Sequence, residues 1–354
     1  MNMHCPLDSS GALEKITSEA PEAKNFRCGD LEQFSSLFDG LNLEGIQLSP
    51  GKFDGSVTVA PMEEASIHIS HSVQALEMRM TVDPDRFVLC VCLCEDSGDL
   101  VFGTRDPGSW IFLLPPGGKA AMPAPENCTL VTMSIAGEAI LESEFLGVDT
   151  RDWFGKMPQE GIFLRSKHLA SRVKEDVTLA FFGAESGSAV NNRKSGQSVC
   201  QAMLSSIMCA FSLEWLVHSG FEVDRRTTAT DRFFRARRLI WEHDFTVGVG
   251  LNDALAGLGS GRSVEQAFAS HVKMGPHSYA RAIRLHNSRR RLLDRSNSGE
   301  SVGNIAAREG FWDCSRFALY YRKHFGEQPS ETRKKTGGKR GSPSFGSHAR
   351  RFRH

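Results

Sequence analysis

The chain has 354 residues, 40% of them hydrophobic, with 42 Lys and Arg against 42 Asp and Glu. It is long enough for two domains, and no apolar run reaches membrane-spanning length, which excludes a helical membrane protein. The zero net charge hides an asymmetry. From Arg225 onward there are about 26 basic residues against about 11 acidic ones, roughly +15, and the rest of the chain carries roughly −15. A basic third joined to an acidic two-thirds implies a polyanion-binding module beside a module with another task.

The N-terminal stretch MNMHCPLDSSGALEKI lacks the basic-then-apolar pattern of a signal peptide. Nine cysteines without framework spacing fit reduced thiols, so the expected location is the cytoplasm, with no membrane partner. Residues 1–25 read as poorly ordered and 30–38 as a short amphipathic helix. Pro50-Gly51 is a turn, followed by a strand over 53–59. Short strands then follow at a regular cadence in ASIHISHSV, ALEMRMTV, RFVLCVCLCE, LVFGT, SWIFLLPP and CTLVTMSI. Turns such as Asp83-Pro84 and Pro116-Gly117-Gly118 separate them, which suggests a small barrel or sandwich. Helical patterns over 169–182 and 199–218 close this part, so the sensing unit is expected over 26–221. The stretch 199–218 suits either a core helix or a pairing helix in a homodimer.

A linker is expected over 222–230, followed by an all-α basic domain over 231–332 opened by Asp231 as a helix cap. Residues 251–258 and 262–272 form a first helix pair around Gly259-Ser260-Gly261. Val264, Ala267, Phe268 and His271 turn inward, and Arg262, Ser263, Gln266 and Ser270 outward. Residues 278–293 form a connecting helix about 24 Å long. Arg281, Arg284, Arg289, Arg290 and Arg291 make it basic. Residues 301–309 form the next helix, stopped at Gly310, and Asp313 caps another. On that last helix Cys314, Phe317, Ala318, Tyr321 and Phe325 are expected inside, with Ser315, Arg316, Leu319, Arg322 and Lys323 outside. Such a basic, hydrogen-bonding face suits a DNA major groove, and equally the solvated side of a small bundle. The tail 333–354 reads as a disordered basic segment.

The string from Ile305 to Ser330 resembles the second helix-turn-helix of the AraC family of bacterial transcription regulators. Ile305-Ala306, Gly310-Phe311, Ser315-x-Phe317, Phe325-Gly326 and Pro329 stand at that family's spacing. The first motif departs from the pattern: its turn is about one residue short, and Lys273 stands where the family's G-x-x-P places glycine. Pro276, Tyr279 and Arg284-Leu285 match. QLSPGKFDG is also similar to the N-terminal region of ethanolamine-utilisation regulators in that family. The resemblance implies an α+β chain with a cupin-like barrel or sandwich first and a double helix-turn-helix second. It implies promoter DNA and RNA polymerase as partners, a small-molecule effector, activation more often than repression, and a homodimer.

Base reading is expected from Arg262, Ser263 and Gln266 in the first motif and from Cys314, Ser315, Arg316 and Leu319 in the second. Arg316 suits guanine O6 and N7, Gln266 suits adenine, and Leu319 suits a thymine methyl. Arg284, Arg322 and Lys323 are expected on phosphates. Successive major grooves lie roughly 34 Å apart, so one protomer can read two of them. No catalytic residue, metal site or cofactor is expected. Cys90, Cys92 and Cys94 share a strand face but suit packing, and His68 and His71 fall on opposite faces. There is no H-E-x-x-H, G-x-S-x-G or CxxC, and PPGGKA lacks the rest of a phosphate loop. The rival readings are a DNA-binding regulator controlled by a protein partner or by cysteine oxidation, and a cupin-type enzyme.

Overall fold

The structure is a computed structural model describing residues 23–61, 65–93, 110–138, 157–165, 228–245 and 250–337, and singly 171 and 175. The expected strand LVFGT, the helix over 199–218 and Cys94 lie outside the described residues, as does the helix over 169–182 apart from Ser171 and Glu175, which are helical.

The N-terminal part is a two-sheet β structure with ten strands among the described residues. They are β1 (Lys24–Cys28), β2 (Leu41–Gln47), β3 (Gly55–Pro61), β4 (Ala65–Ser72), β5 (Leu76–Val82), β6 (Arg86–Cys92), β7 (Trp110–Leu114), β8 (Lys119–Ala124), β9 (Cys128–Ala136) and β10 (Ile162–Arg165). One sheet runs β1-β3-β4-β9-β6-β7-β10 and the other β2-β5-β8. All the pairings are antiparallel. Alternation along each strand sends Val57, Met78, Met80, Cys90, Cys92, Phe112 and Met122 into one core. The short helix α1 (Leu31–Ser35) adds Leu31 and Phe34 to that core, and Asp30 caps it by accepting from the Gln33 amide. This is the barrel-or-sandwich architecture expected from the strand cadence.

Four strands escaped the sequence pattern, among them β10, which pairs with β7 in a stretch read as helical. Lys24 and Asn25, expected in the disordered start, belong to β1, which adds to the edge of the larger sheet beside β3. LNLEGIQ and KAAMPA lack strong β character, yet β2 and β8 flank β5 in the small sheet. Cross-strand partners, rather than intrinsic propensity, make them strands. Cys90 and Cys92 are buried in the core, and burial pushes the Cys90 thiol up to about 12. His68 is fully buried and stacked on Phe38, whereas His71 on the other face is half-buried and lies 3.0 Å from the Thr129 hydroxyl.

The C-terminal part is helical: α2 (Thr228–Glu242), α3 (Leu251–Leu255, prolonged by a 3-10 turn), α4 (Gly261–Val272), α5 (Pro276–Leu293), α6 (Val302–Arg308), α7 (Cys314–Phe325) and α8 (Pro329–Gly337). Residues 228–230, expected in the linker, are already helical, so Asp231 lies inside the first turn and does not cap it. Residues 333–337, expected in the tail, belong to α8, whose Thr332 is fully buried and anchors it. Pro276, tolerated at a first helical position, lets α5 begin earlier than expected, and its 18 residues make it about 27 Å long.

Candidate nucleic-acid interface

The second helix pair is assembled from local signals. The Ser301 hydroxyl accepts from the Asn304 amide at 3.0 Å and opens α6. Gly310 ends it with φ of +72°, where a Cβ would stand 2.7 Å from the Phe245 carbonyl. Asp313 opens α7 by accepting from the Ser315 and Arg316 amides at 2.9 and 3.0 Å. Phe317, Tyr321 and Phe325 then pack on Ile305, Ala306, Leu285 and Leu292. The opposite side of α7 exposes Ser315, Arg316, Leu319, Arg322 and Lys323. Leu319 is 64% exposed, an apolar side chain in a polar strip. Cys314 is a correction to the face assignment: the first residue of α7 precedes the packed turn, so its thiol is exposed rather than inward.

Trp312 was passed over in the sequence and is 75% exposed beside this strip. A residue just before a cap ordinarily staples onto the fourth helical residue, here Phe317. Phe311 holds that place, its ring 5.1 Å from Phe317, so the indole is turned outward. The signal in the sequence is two adjacent aromatics before one cap, of which one can be buried.

In the first pair, Ser260 caps α4 by accepting from the Ser263 amide, so Gly261 is the first helical residue and not part of the turn. Val264, Ala267, Phe268 and His271 are buried, as the spacing predicts. Arg262, Gln266 and Ser270 are exposed. Ser263 is half-buried, and its hydroxyl donates to the Ser260 carbonyl at 2.8 Å, which engages it in the cap. Lys273 ends the helix with φ of +56°, the left-handed region that glycine occupies at low cost.

The basic connecting helix is the main correction. Arg284, expected on phosphate, instead donates through Nε to the Glu309 carbonyl at 2.6 Å and through Nη2 to the Gly310 carbonyl. Its guanidinium lies 4.1 Å from the Phe311 ring centre, so it clamps the turn of the second pair. Arg289 is buried against Glu327 and Glu32, Arg290 pairs with Glu44 at 2.6 Å, and Arg291 with Glu309 at 2.8 Å. Carboxylates and carbonyls packed around α5 claim guanidinium groups that look free in the sequence. Arg281 covers Tyr320 at 4.7 Å and reaches Ser278. Arg322 and Lys323 stay exposed on α7, next to the strip that holds Arg316.

Residues 259–335 match the family described as a helix-turn-helix domain. The XylDLEGF operon transcriptional activator 3 of Pseudomonas putida is 25% identical over 227 residues, which cover 64% of this chain and 65% of that protein. This chain therefore spans a little under two thirds of that relative's length. The regulatory protein HrpB of Ralstonia nicotianae is 39% identical over 71 residues, covering 20% of this chain and 15% of that protein. A crystal structure of the AraC-like transcriptional activator CuxR aligns with 81% of this chain and 100% of its own at 12% identity. The TM-score of that alignment is 0.38.

Proposed function

We propose that this chain, which carries a helix-turn-helix domain over residues 259–335, is a sequence-specific activator of transcription of the AraC type that reads two adjacent major grooves with α4 and α7. The observation that carries this reading is the exposed strip of α7. Ser315, Arg316 and Leu319 stand out on the opposite side from a packed Phe317, Tyr321 and Phe325, in a region with roughly +15 net charge. In this reading Arg316 takes a guanine, Cys314, Ser315 and Leu319 complete the reading, and Arg322 and Lys323 hold phosphates. Arg262 and Gln266 serve the neighbouring groove, with Ser263 setting the helix start. Trp312 joins the face as a stacking or sugar-packing group. RNA polymerase contact, a homodimer and the absence of enzymatic activity belong to the same proposal, carried by the family resemblance.

The effector is proposed to be a small, mainly apolar molecule. A cleft of about 560 Å³, counting its open mouth, lies in the β domain. Phe34, Phe38, Met78, Met80 and Met122 line it, with Ser70, Ser72 and Thr132 as polar groups. A mainly apolar lining with a few polar groups is the composition of a ligand pocket. Ligand control is favoured over oxidation within the β domain because Cys28, Cys90, Cys92 and Cys128 are buried; among the described cysteines Cys314 alone is exposed. Burial, with Asp30 adding to it, pushes the Cys28 thiol up to about 11. Such thiols are poor nucleophiles.

Genome-wide occupancy of the tagged protein beside Arg316→Ala tests the reading. Sharp promoter peaks that vanish in the variant are expected. Diffuse binding unchanged by the substitution would mean that the domain holds DNA by charge alone.

A further inference from the structure

The small sheet has two working faces. On β5, Leu76, Met78 and Met80 line the cleft. Glu77, between them in sequence, points the other way and is completely buried. Its Oε1 accepts from the Tyr279 hydroxyl at 2.7 Å and from Trp241 Nε1 at 3.2 Å. Arg237 Nε stands 3.8 Å from the same oxygen. Arg79, also on the outer face, lies over the Trp241 ring at 4.5 Å. Strand β2 repeats the division: Leu41 and Leu43 face the cleft, while Ile46 and, just past the end of the strand, Leu48 enter the hydrophobic cluster of the first helix pair beside Phe233, Phe268, Tyr279 and Ile283. Strand β8 adds its Ala121 carbonyl, which accepts from Arg237 at 2.9 Å.

The two helix pairs therefore stand differently toward the β domain. The buried cluster of the second pair is drawn from α5, α6 and α7 and from Phe311 in the turn between the last two. The β domain reaches it through polar contacts, such as the Gly51 amide on the His324 carbonyl at 3.0 Å and the Gln47 amide on His286 Nε2 at 2.8 Å. The first pair shares its core with β2. Both joints hold buried atoms without a hydrogen-bond partner among the described residues, Glu77 Oε2 at the first and His286 Nδ1 and His324 Nε2 at the second. The difference between them therefore lies in the shared apolar core of the first.

We propose that the β2-β5-β8 sheet is a structural part of the first helix-turn-helix, with Ile46 and Glu77 as its positioning residues, so that a shift of the sheet loosens or tightens α4 while α7 keeps its order. A shared core makes two segments open and close together, and a separate core lets the other act alone. The inference does not require the cleft to be occupied. If an effector does lodge there, β2 and β5 are the wall through which it would act on α4.

Amide hydrogen exchange on the full-length chain tests this with Ile46→Ala, Glu77→Ala and Glu77→Gln. Ile46→Ala and Glu77→Ala should speed exchange of residues 261–272 by roughly tenfold or more and change residues 314–325 by less than about twofold. Glu77→Gln keeps an acceptor for Tyr279 and should recover most of the protection. Equal loosening of both segments, or residues 261–272 unchanged, would overturn the proposal. If Ile46→Ala does not fold, the Glu77 pair decides by itself. A cleft that binds no apolar probe such as an anilinonaphthalene dye would count against the effector reading and leave the exchange result to be read independently.

Discussion

Arg289 is a cation in the sequence and a core residue in the fold. Its Nη1 donates to Glu327, to the Thr332 hydroxyl at 3.2 Å and to the Tyr321 hydroxyl at 3.5 Å, and its Nε lies 3.5 Å from Glu32 of α1. Removing it leaves Glu327 partly buried beside groups that had been organised around a guanidinium. Arg289→Ala should therefore lower stability by about 3 kcal/mol, read as a shift of the urea midpoint at unchanged slope. The same network sets an acid limb. Burial pushes the Glu327 carboxyl up, but hydrogen bonds from Lys335, Arg289 and Thr332 outweigh it and hold the group at about 2. A folded value below the unfolded one contributes stability that is complete above the ordinary value of 4.5 and is lost as pH falls toward about 2. Arg289→Ala should flatten that limb, and an unchanged acid profile would show that the network does not hold Glu327.

At the scale of elements, the end of α4 is the instructive case. Lys273 occupies a left-handed conformation, in which a Cβ costs energy that glycine avoids. Lys273→Gly should raise stability by about 1 kcal/mol, measured as a higher thermal midpoint. No gain would mean that the Lys273 side chain makes contacts worth as much as the strain. Helix α8 and strand β8 make the complementary point. The first reads as a basic tail and the second as a stretch of small residues. Buried Thr332 fixes one, and pairing to β5 fixes the other.

At the scale of the whole molecule, buried imidazoles couple the fold to pH. Burial pushes His68 and His324 down to about 4 each, outweighing the charge of Asp39 near His68 and the Gln47 contact at His324. Burial, then His324, Arg290 and Arg289, push His286 well below its ordinary value. A lowered histidine binds fewer protons folded than unfolded. Its contribution is thus complete above about 6.5 and is lost as pH falls toward about 4. His286 and His324 sit where the β domain meets the helical domain. The thermal midpoint should therefore drop between pH 7 and pH 5, above the range in which most carboxylates protonate. A flat profile across that interval would count against these histidines being buried and neutral.

The sequence alone carried the local rules. The cap at Asp313, the stop at Gly310 and the inward spacing of Phe317, Tyr321 and Phe325 depend on neighbours a few residues away, so they can be read without a fold. The charge asymmetry and the expectation of a sandwich followed by paired helices rest on composition and cadence, which are likewise local. Tertiary structure decided where side chains found distant partners. Arg284 left the expected phosphate surface, and Arg289 became a core residue, because carbonyls and carboxylates elsewhere in the chain desolvate and pair them. Strands β2 and β8 exist because β5 lies between them, and Glu77 matters because Tyr279 and Trp241, more than 160 residues later, meet it in the core. Such contacts have no periodicity along the chain, and burial, which gives them their energy, is a property of the folded molecule.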